Sequence, residues 1–260
     1  MIVLCIETST SVCSAAVCKD GKPLKQCICL EGSNHARLLP LYIEELLHFA
    51  KQQSLSIDAV GLSEGPGSYT GLRIGTSTAK GLCYGLNVPL IPVPTLQVLC
   101  AAAKDKLPIT NDQSPLLLPL IDARRMEVYT ALYDMDLHPL SEVKAVVVEN
   151  EESFSGAVCQ QVNLGLSAGQ PGSVNAEVCQ SEGRSVFFFG DGAAKCQSVL
   201  TNPDWHYIPD IVPEARYVGV LAEQIVHRQS SNRQSVDLAY YEPYYLKEFI
   251  AAQSHVKGLK

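Results

Sequence analysis

The feature that most limits what this chain can fold into is an order of apolar runs that occurs twice. Residues 2–7 (IVLCIE), 12–18 (VCSAAVC) and 23–30 (PLKQCICL) read as three strands. TSTS joins the first two, and Asp20-Gly21 marks a hairpin turn between the second and third. A helix follows over 35–52, with Asn34 placed to cap it and Pro40 in its early part. Leu39, Ile43, Leu46, Leu47 and Ala50 form one apolar stripe on it, and Leu38, Tyr42 and Phe49 a second. A strand at 57–63, a glycine-rich helix, a strand at 89–93 and a helix over 96–103 complete the unit. After a polar stretch at 104–114 the pattern reopens, with strands at 115–121, 126–133 and 143–148 and a short helix over 152–162. A Gly/Ser/Gln-rich segment at 163–183 reads as loop. A strand and turn at 185–192 and a helix over 212–228 follow. Two successive β-β-β-α-β-α orders predict a two-lobed α/β protein with a reduced second lobe. The boundary falls near 105, with residues 1–105 as the first lobe. Residues 106–260 form the second, with its last helix and tail able to pack back on the first.

Composition removes several classes of function. With 260 residues, 47% hydrophobic and 18% charged, the chain can bury a substantial core. A net charge of −7 leaves no basic field of the kind a stand-alone nucleic-acid binder carries. No stretch approaches ~18 uninterrupted apolar residues, and the amino terminus lacks a basic leader, which predicts a cytoplasmic protein away from membranes. The 10 cysteines include no CxxC pair, and Cys27 and Cys29 alternate along a strand as small buried hydrophobes do. Reduced structural thiols are expected, and no zinc site.

Residues 65–85, GPGSYTGLRIGTSTAKGLCYG, join strand to helix through a glycine turn. The Walker pattern GxxxxGK[ST] is absent, and Gly65-x-Gly67-x-x-x-Gly71 only approximates a dinucleotide fingerprint. Within a helix each glycine costs about 1 kcal/mol relative to alanine. Gly71, Gly75, Thr78 and Leu82 share one helical face with Ala79 at its edge, and the glycines thin that face so that another backbone can come close. Two readings stay open here: packing against the chain's own sheet or first helix, or contact with another molecule.

IETSTS (6–11), NHARLLP (34–40), EGPGSYTGLRIGTSTAKGL (64–82), IDARRMEVY (121–129), FGDG (189–192) and EPYYLK (242–247) occur in an order that resembles the TsaB (YeaZ) family. The resemblance implies the two-lobed fold of actin, sugar kinases and heat-shock ATPases (the ASKHA fold). It also implies a non-catalytic dimerisation or scaffold subunit that pairs with a TsaD-type catalytic subunit and works with a TsaE-type ATPase. Their joint reaction places threonylcarbamoyl on the tRNA adenosine 3′ of the anticodon. On this reading tRNA is met only through the complex, and the chain forms a homodimer when alone.

The resemblance also indicates where a nucleotide site would lie. The first hairpin offers Glu7, Thr8 and Ser9, the second Asp122 with Arg124 and Arg125, and the adenosine turn Gly190, Asp191 and Gly192. Glu7 stands where many relatives carry Asp. The arginines suit either an anion or a structural pairing with Asp122 or Glu127. His35 lacks a second histidine four residues on, where Leu39 stands, so a surface or capping role is expected and metal catalysis is not. The expected site is vestigial: it requires no cofactor, leaves room for weak ATP or ADP binding, and takes Mg²⁺ only with nucleotide. An active ATPase or phosphotransferase of the same fold is the alternative; a metallopeptidase is disfavoured, with no HExxH present. The partner surface implied by the family comprises Arg37, Leu38, Tyr42, Gly71, Leu72, Gly75, Thr78, Ala79 and Leu82.

Overall fold

A computed structural model describes residues 1–32, 34–107, 115–154, 184–228 and 236–247. Strands β1 (Ile2–Glu7), β2 (Cys13–Lys19), β3 (Lys22–Cys29), β4 (Ala59–Gly65) and β5 (Leu90–Pro94) form one sheet in the order β3-β2-β1-β4-β5. β6 (Leu116–Asp122), β7 (Glu127–Thr130), β8 (Lys144–Val147), β9 (Val186–Phe189) and β10 (Trp205–Ile208) form another, ordered β10-β9-β6-β7-β8. In each sheet the first three strands pair antiparallel, and the fourth and fifth add in parallel beside the first. The doubled order in the sequence is thus a doubled topology. Asp20 and Gly21 take φ of 49° and 72°, as a tight two-residue hairpin requires.

β1 is buried on both faces, which explains its unbroken apolar run. Leu4 and Ile6 meet α1 (His35–Gln52) through Leu39, Ile43 and Leu46. Val3 and Cys5 face the opposite way, toward Val218 and Leu221 of the last helix described, Ala215–Arg228. That second cluster also takes Leu96 and Leu99 of α3 (Thr95–Lys104), together with Leu117, Ile121 and Phe187 of the other sheet. One continuous apolar core therefore joins the bases of both lobes.

α1 has its expected bounds, and α2 (Tyr69–Leu86) is the glycine-rich helix expected after the turn. Asn34 precedes α1 but makes no side-chain cap bond, and Ser68 caps α2 by accepting from the Gly71 N–H at 3.3 Å. β10 and the short helix α4 (Ala193–Cys196) were not expected from the sequence. The expected strand 126–133 is shorter, ending at Thr130 with an isolated bridge at Tyr133. Of the expected helix 152–162, residues 151–154 form a 3-10 turn, and the remainder, like the segment 163–183, lies outside the described residues. The helix expected over 212–228 runs Ala215–Arg228 and is α5 below. Among the described residues no helix is long and apolar enough to cross a membrane. The eight described cysteines are free thiols, seven of them buried.

Candidate functional site

Two tight connections meet at the carboxyl ends of β1 and β4. Thr8-Ser9-Thr10-Ser11 follows β1, and Pro66-Gly67-Ser68 leads from β4 into α2. They are stitched together: the Ser68 N–H donates to the Ser9 carbonyl at 2.6 Å, and the Thr8 hydroxyl donates to the Gly71 carbonyl at 2.8 Å. A Cβ on Gly71 would lie closer than 3.0 Å to the Thr8 carbonyl oxygen, and one on Gly75 closer than 3.0 Å to the Thr8 hydroxyl. The backbone that the thin helical face admits is therefore this chain's own. This corrects the partner surface expected from the sequence. Gly71, Leu72, Gly75 and Ala79 are buried inside the first lobe and are not available to another molecule. The other residues of that set stay accessible: Arg37 is exposed, and Leu38, Tyr42, Thr78 and Leu82 are half-buried on the touching helices α1 and α2. On the same sides of these helices, exposed Leu41 and Leu86 widen the apolar area.

Between the lobes lies a cleft of about 500 Å³, within the range of small-molecule sites. Its first-lobe wall carries Ser9, Thr10, Ser11 and Ser68, and its second-lobe wall Asp122, Arg124 and Asp191. Glu7 is fully buried behind this wall, with one carboxylate oxygen accepting the Ser9 N–H at 2.6 Å and the other without a partner. Burial pushes its carboxyl up from the ordinary value, against the Ser9 N–H bond that favours the charged form. The Ser9 hydroxyl is also buried without a partner.

On the second lobe the GDG turn packs directly on β6. The Gly192 N–H donates to the Leu120 carbonyl at 2.9 Å, and the Asp122 N–H donates to Asp191 Oδ1 at 3.0 Å. Asp191 touches solvent yet is walled by protein; that wall and the charge of Asp122 raise its carboxyl. Asp122 is ion-paired with Lys195, which also donates to the Glu127 carbonyl at 2.7 Å. Glu127 is ion-paired with Lys247. The pairing foreseen for Arg124 and Arg125 is thus made by two lysines. Both arginines take left-handed backbone, at φ of 71° and 50°, with exposed side chains, and Arg124 lines the cleft. His35 is neither a surface nor a capping residue: it is buried, and its Nε2–H donates to the Val12 carbonyl at 3.1 Å.

The hydroxyls of the first-lobe wall suit the oxygens of an anion. The carboxylates suit a divalent cation poorly, since Asp122 is held by a lysine and Glu7 is withdrawn into the core. Among the described residues no three His, Cys, Asp or Glu gather as a metal centre. From sequence, the lysine pairings were invisible, because their partners lie more than 60 residues away on other elements.

Residues 30–253 match the family described as TsaD, tRNA N6-adenosine threonylcarbamoyltransferase. The chain is 35% identical over 136 residues to the tRNA threonylcarbamoyladenosine biosynthesis protein TsaB of Escherichia coli K12, covering 52% of this chain and 56% of that protein. It is 32% identical over 134 residues to the protein of the same name in Bacillus subtilis 168, covering 51% and 55%. The chain thus spans little more than half the length of these curated relatives. The solved structure of YeaZ from Pseudomonas aeruginosa superposes with a TM-score of 0.64 at 21% identity, covering 94% of this chain and 99% of that one. That likeness shows the fold, the two-lobed ASKHA architecture. The chain belongs to the TsaD family.

Proposed function

We propose that this chain is a non-catalytic partner subunit in tRNA threonylcarbamoyladenosine formation, pairing with a TsaD-type catalytic subunit. The observation that carries the reading is the state of the acidic residues at and around the cleft, where the lining Asp191 accepts the Asp122 N–H. Asp122 and Glu127 are neutralised by Lys195 and Lys247 of the same chain, and Glu7 is sealed in the core. A phosphate-transferring site needs such carboxylates free for a metal ion; here they are engaged by the chain's own groups. The names carried by the relatives in Escherichia coli and Bacillus subtilis support the pathway.

In this reading the partner meets the open sides of α1 and α2, where Arg37, Leu38, Tyr42, Thr78 and Leu82 lie with exposed Leu41 and Leu86. An exposed aromatic and aliphatic area of this kind marks an association surface. The same surface serves a homodimer when the partner is absent. A TsaE-type ATPase and tRNA are met through the complex. The chain acts in the cytoplasm and needs no cofactor of its own; nucleotide binding at the hydroxyl-lined wall is weak, with Mg²⁺ only alongside it.

Size-exclusion chromatography with light scattering tests the assignment. The wild-type chain is expected to co-elute with the TsaD-type subunit. Tyr42→Arg combined with Leu82→Arg is expected to elute apart from it while keeping the wild-type circular dichroism spectrum. A folded double variant that still co-elutes removes the surface from consideration.

A further inference from the structure

We propose that residues 236–247 are an interlobe latch, which holds the mouth of the cleft closed in the free chain. The two lobes share one apolar core at their base, through α3 and the cluster joining Val3 and Cys5 to Leu117 and Phe187. A shared base leaves the opposite end, where Ser9 and Asp122 face each other across the cleft, free to open about it. The segment 236–247 closes that end.

It is first fixed along the amino-terminal lobe. Leu238 and Tyr241 pack against the core beneath α2. Lys80 donates to the carbonyls of Ala239 and Tyr241, each at 3.0 Å. The Tyr244 N–H donates to the Glu64 carbonyl at 2.8 Å, and the Tyr245 ring lies 5.1 Å from that of Tyr69 at the start of α2. The approach is so close that a Cβ on Gly65 would lie within 3.0 Å of the Tyr244 carbonyl oxygen. The chain then leaves the first lobe, and Lys247 pairs with Glu127 at the start of β7 in the second. Tyr244, Tyr245, Leu246 and Lys247 form part of the cleft wall. One irregular segment is thus docked on one lobe and tethered to the other, and the tether is an ion pair open to water.

This geometry predicts that a change on the second lobe alters protection of an amide on the first. The test is hydrogen exchange on the full chain, read at the Tyr244 amide, for Lys247→Glu, Glu127→Lys and the double exchange of charges. Solvent-accessible ion pairs contribute modestly, so each single variant is expected to speed Tyr244 exchange about two- to five-fold. The double variant is expected to return toward the wild-type rate. β1 amides and the thermal midpoint should stay unchanged throughout. Tyr245→Ala, which removes the ring contact without touching the ion pair, should raise the same amide's rate. Unchanged Tyr244 exchange in Glu127→Lys, or a double variant faster than either single, overturns the latch. So does an acceleration matched in β1, which reports general loosening. None of these readouts depends on the tRNA reading above.

Discussion

Gly71 and Gly75 offer a test in which one helix supplies both the experiment and its control. Alanine is the better helix former by about 1 kcal/mol, so on propensity alone every glycine of α2 should be improved by it. The structure splits them. At Gly71 the added Cβ would press on the Thr8 carbonyl, a backbone atom that cannot rotate aside, and at Gly75 on the Thr8 hydroxyl. Overpacking of this kind costs about 1–3 kcal/mol or more. At Gly71 it also disturbs the 2.8 Å bond from the Thr8 hydroxyl, with a net contribution of roughly 1 kcal/mol. Subtracting the propensity gain leaves Gly71→Ala destabilised by about 1–3 kcal/mol, or a thermal midpoint lower by roughly 2–12 °C for a chain of this size. Gly81 and Gly85 have nothing within 4 Å of the Cβ position. Gly81→Ala and Gly85→Ala should therefore raise the midpoint, by roughly 1–4 °C. Differential scanning fluorimetry of the four variants decides the matter. A Gly71→Ala chain as stable as wild type would refute the packing account and return that face to partner contact.

Glu7 makes stability depend on pH. Its carboxyl is raised above the ordinary value of 4.5 by burial, so the folded chain holds the proton longer than the unfolded one. Stability from this group is present below about pH 4.5 and is lost as pH rises through the folded value. Glu7→Gln keeps an acceptor for the Ser9 N–H and removes the charge, so its midpoint should exceed wild type by a margin that widens with pH above 4.5. Thermal melts between pH 4 and 8 with no such widening would contradict the burial. His35→Ala leaves the Val12 carbonyl without its donor inside the protein and should cost about 1–3 kcal/mol by urea denaturation. In the wild-type chain, ¹⁵N spectra should show His35 carrying its proton on Nε2.

The parts of the fold that the sequence revealed are those where burial imposes a pattern. β1 was legible because burial on both faces makes it an unbroken apolar run that ends at Glu7, and α1 because Leu39, Ile43 and Leu46 recur at helical spacing. β10 was not: four residues, Trp205–Ile208, are too few to establish alternation. A helical wheel identified the thin face of α2 but could not say what lies on it, since Thr8 is 63 residues distant in sequence. Composition placed Arg124 and Arg125 beside two carboxylates, whereas folding delivered Lys195 and Lys247 to them from distant elements. Asn34 stands at a cap position without forming the cap, because residue type permits that bond and only geometry makes it. The candidate site was thus readable as an inventory of residues, but its pairings were set by tertiary contacts.

The central claim is that this chain is required for tRNA threonylcarbamoylation without performing the transfer itself. The most direct measurement is a reconstituted reaction containing the TsaD-type subunit, the TsaE-type ATPase, the enzyme that supplies threonylcarbamoyl-adenylate, ATP, threonine, bicarbonate and tRNA, with and without this chain. Modified adenosine is quantified by nucleoside mass spectrometry. The account predicts modification when the chain is present and its loss when the chain is omitted. It also predicts no modification when this chain replaces the TsaD-type subunit. Undiminished modification without the chain, or transfer by the chain alone, would contradict it.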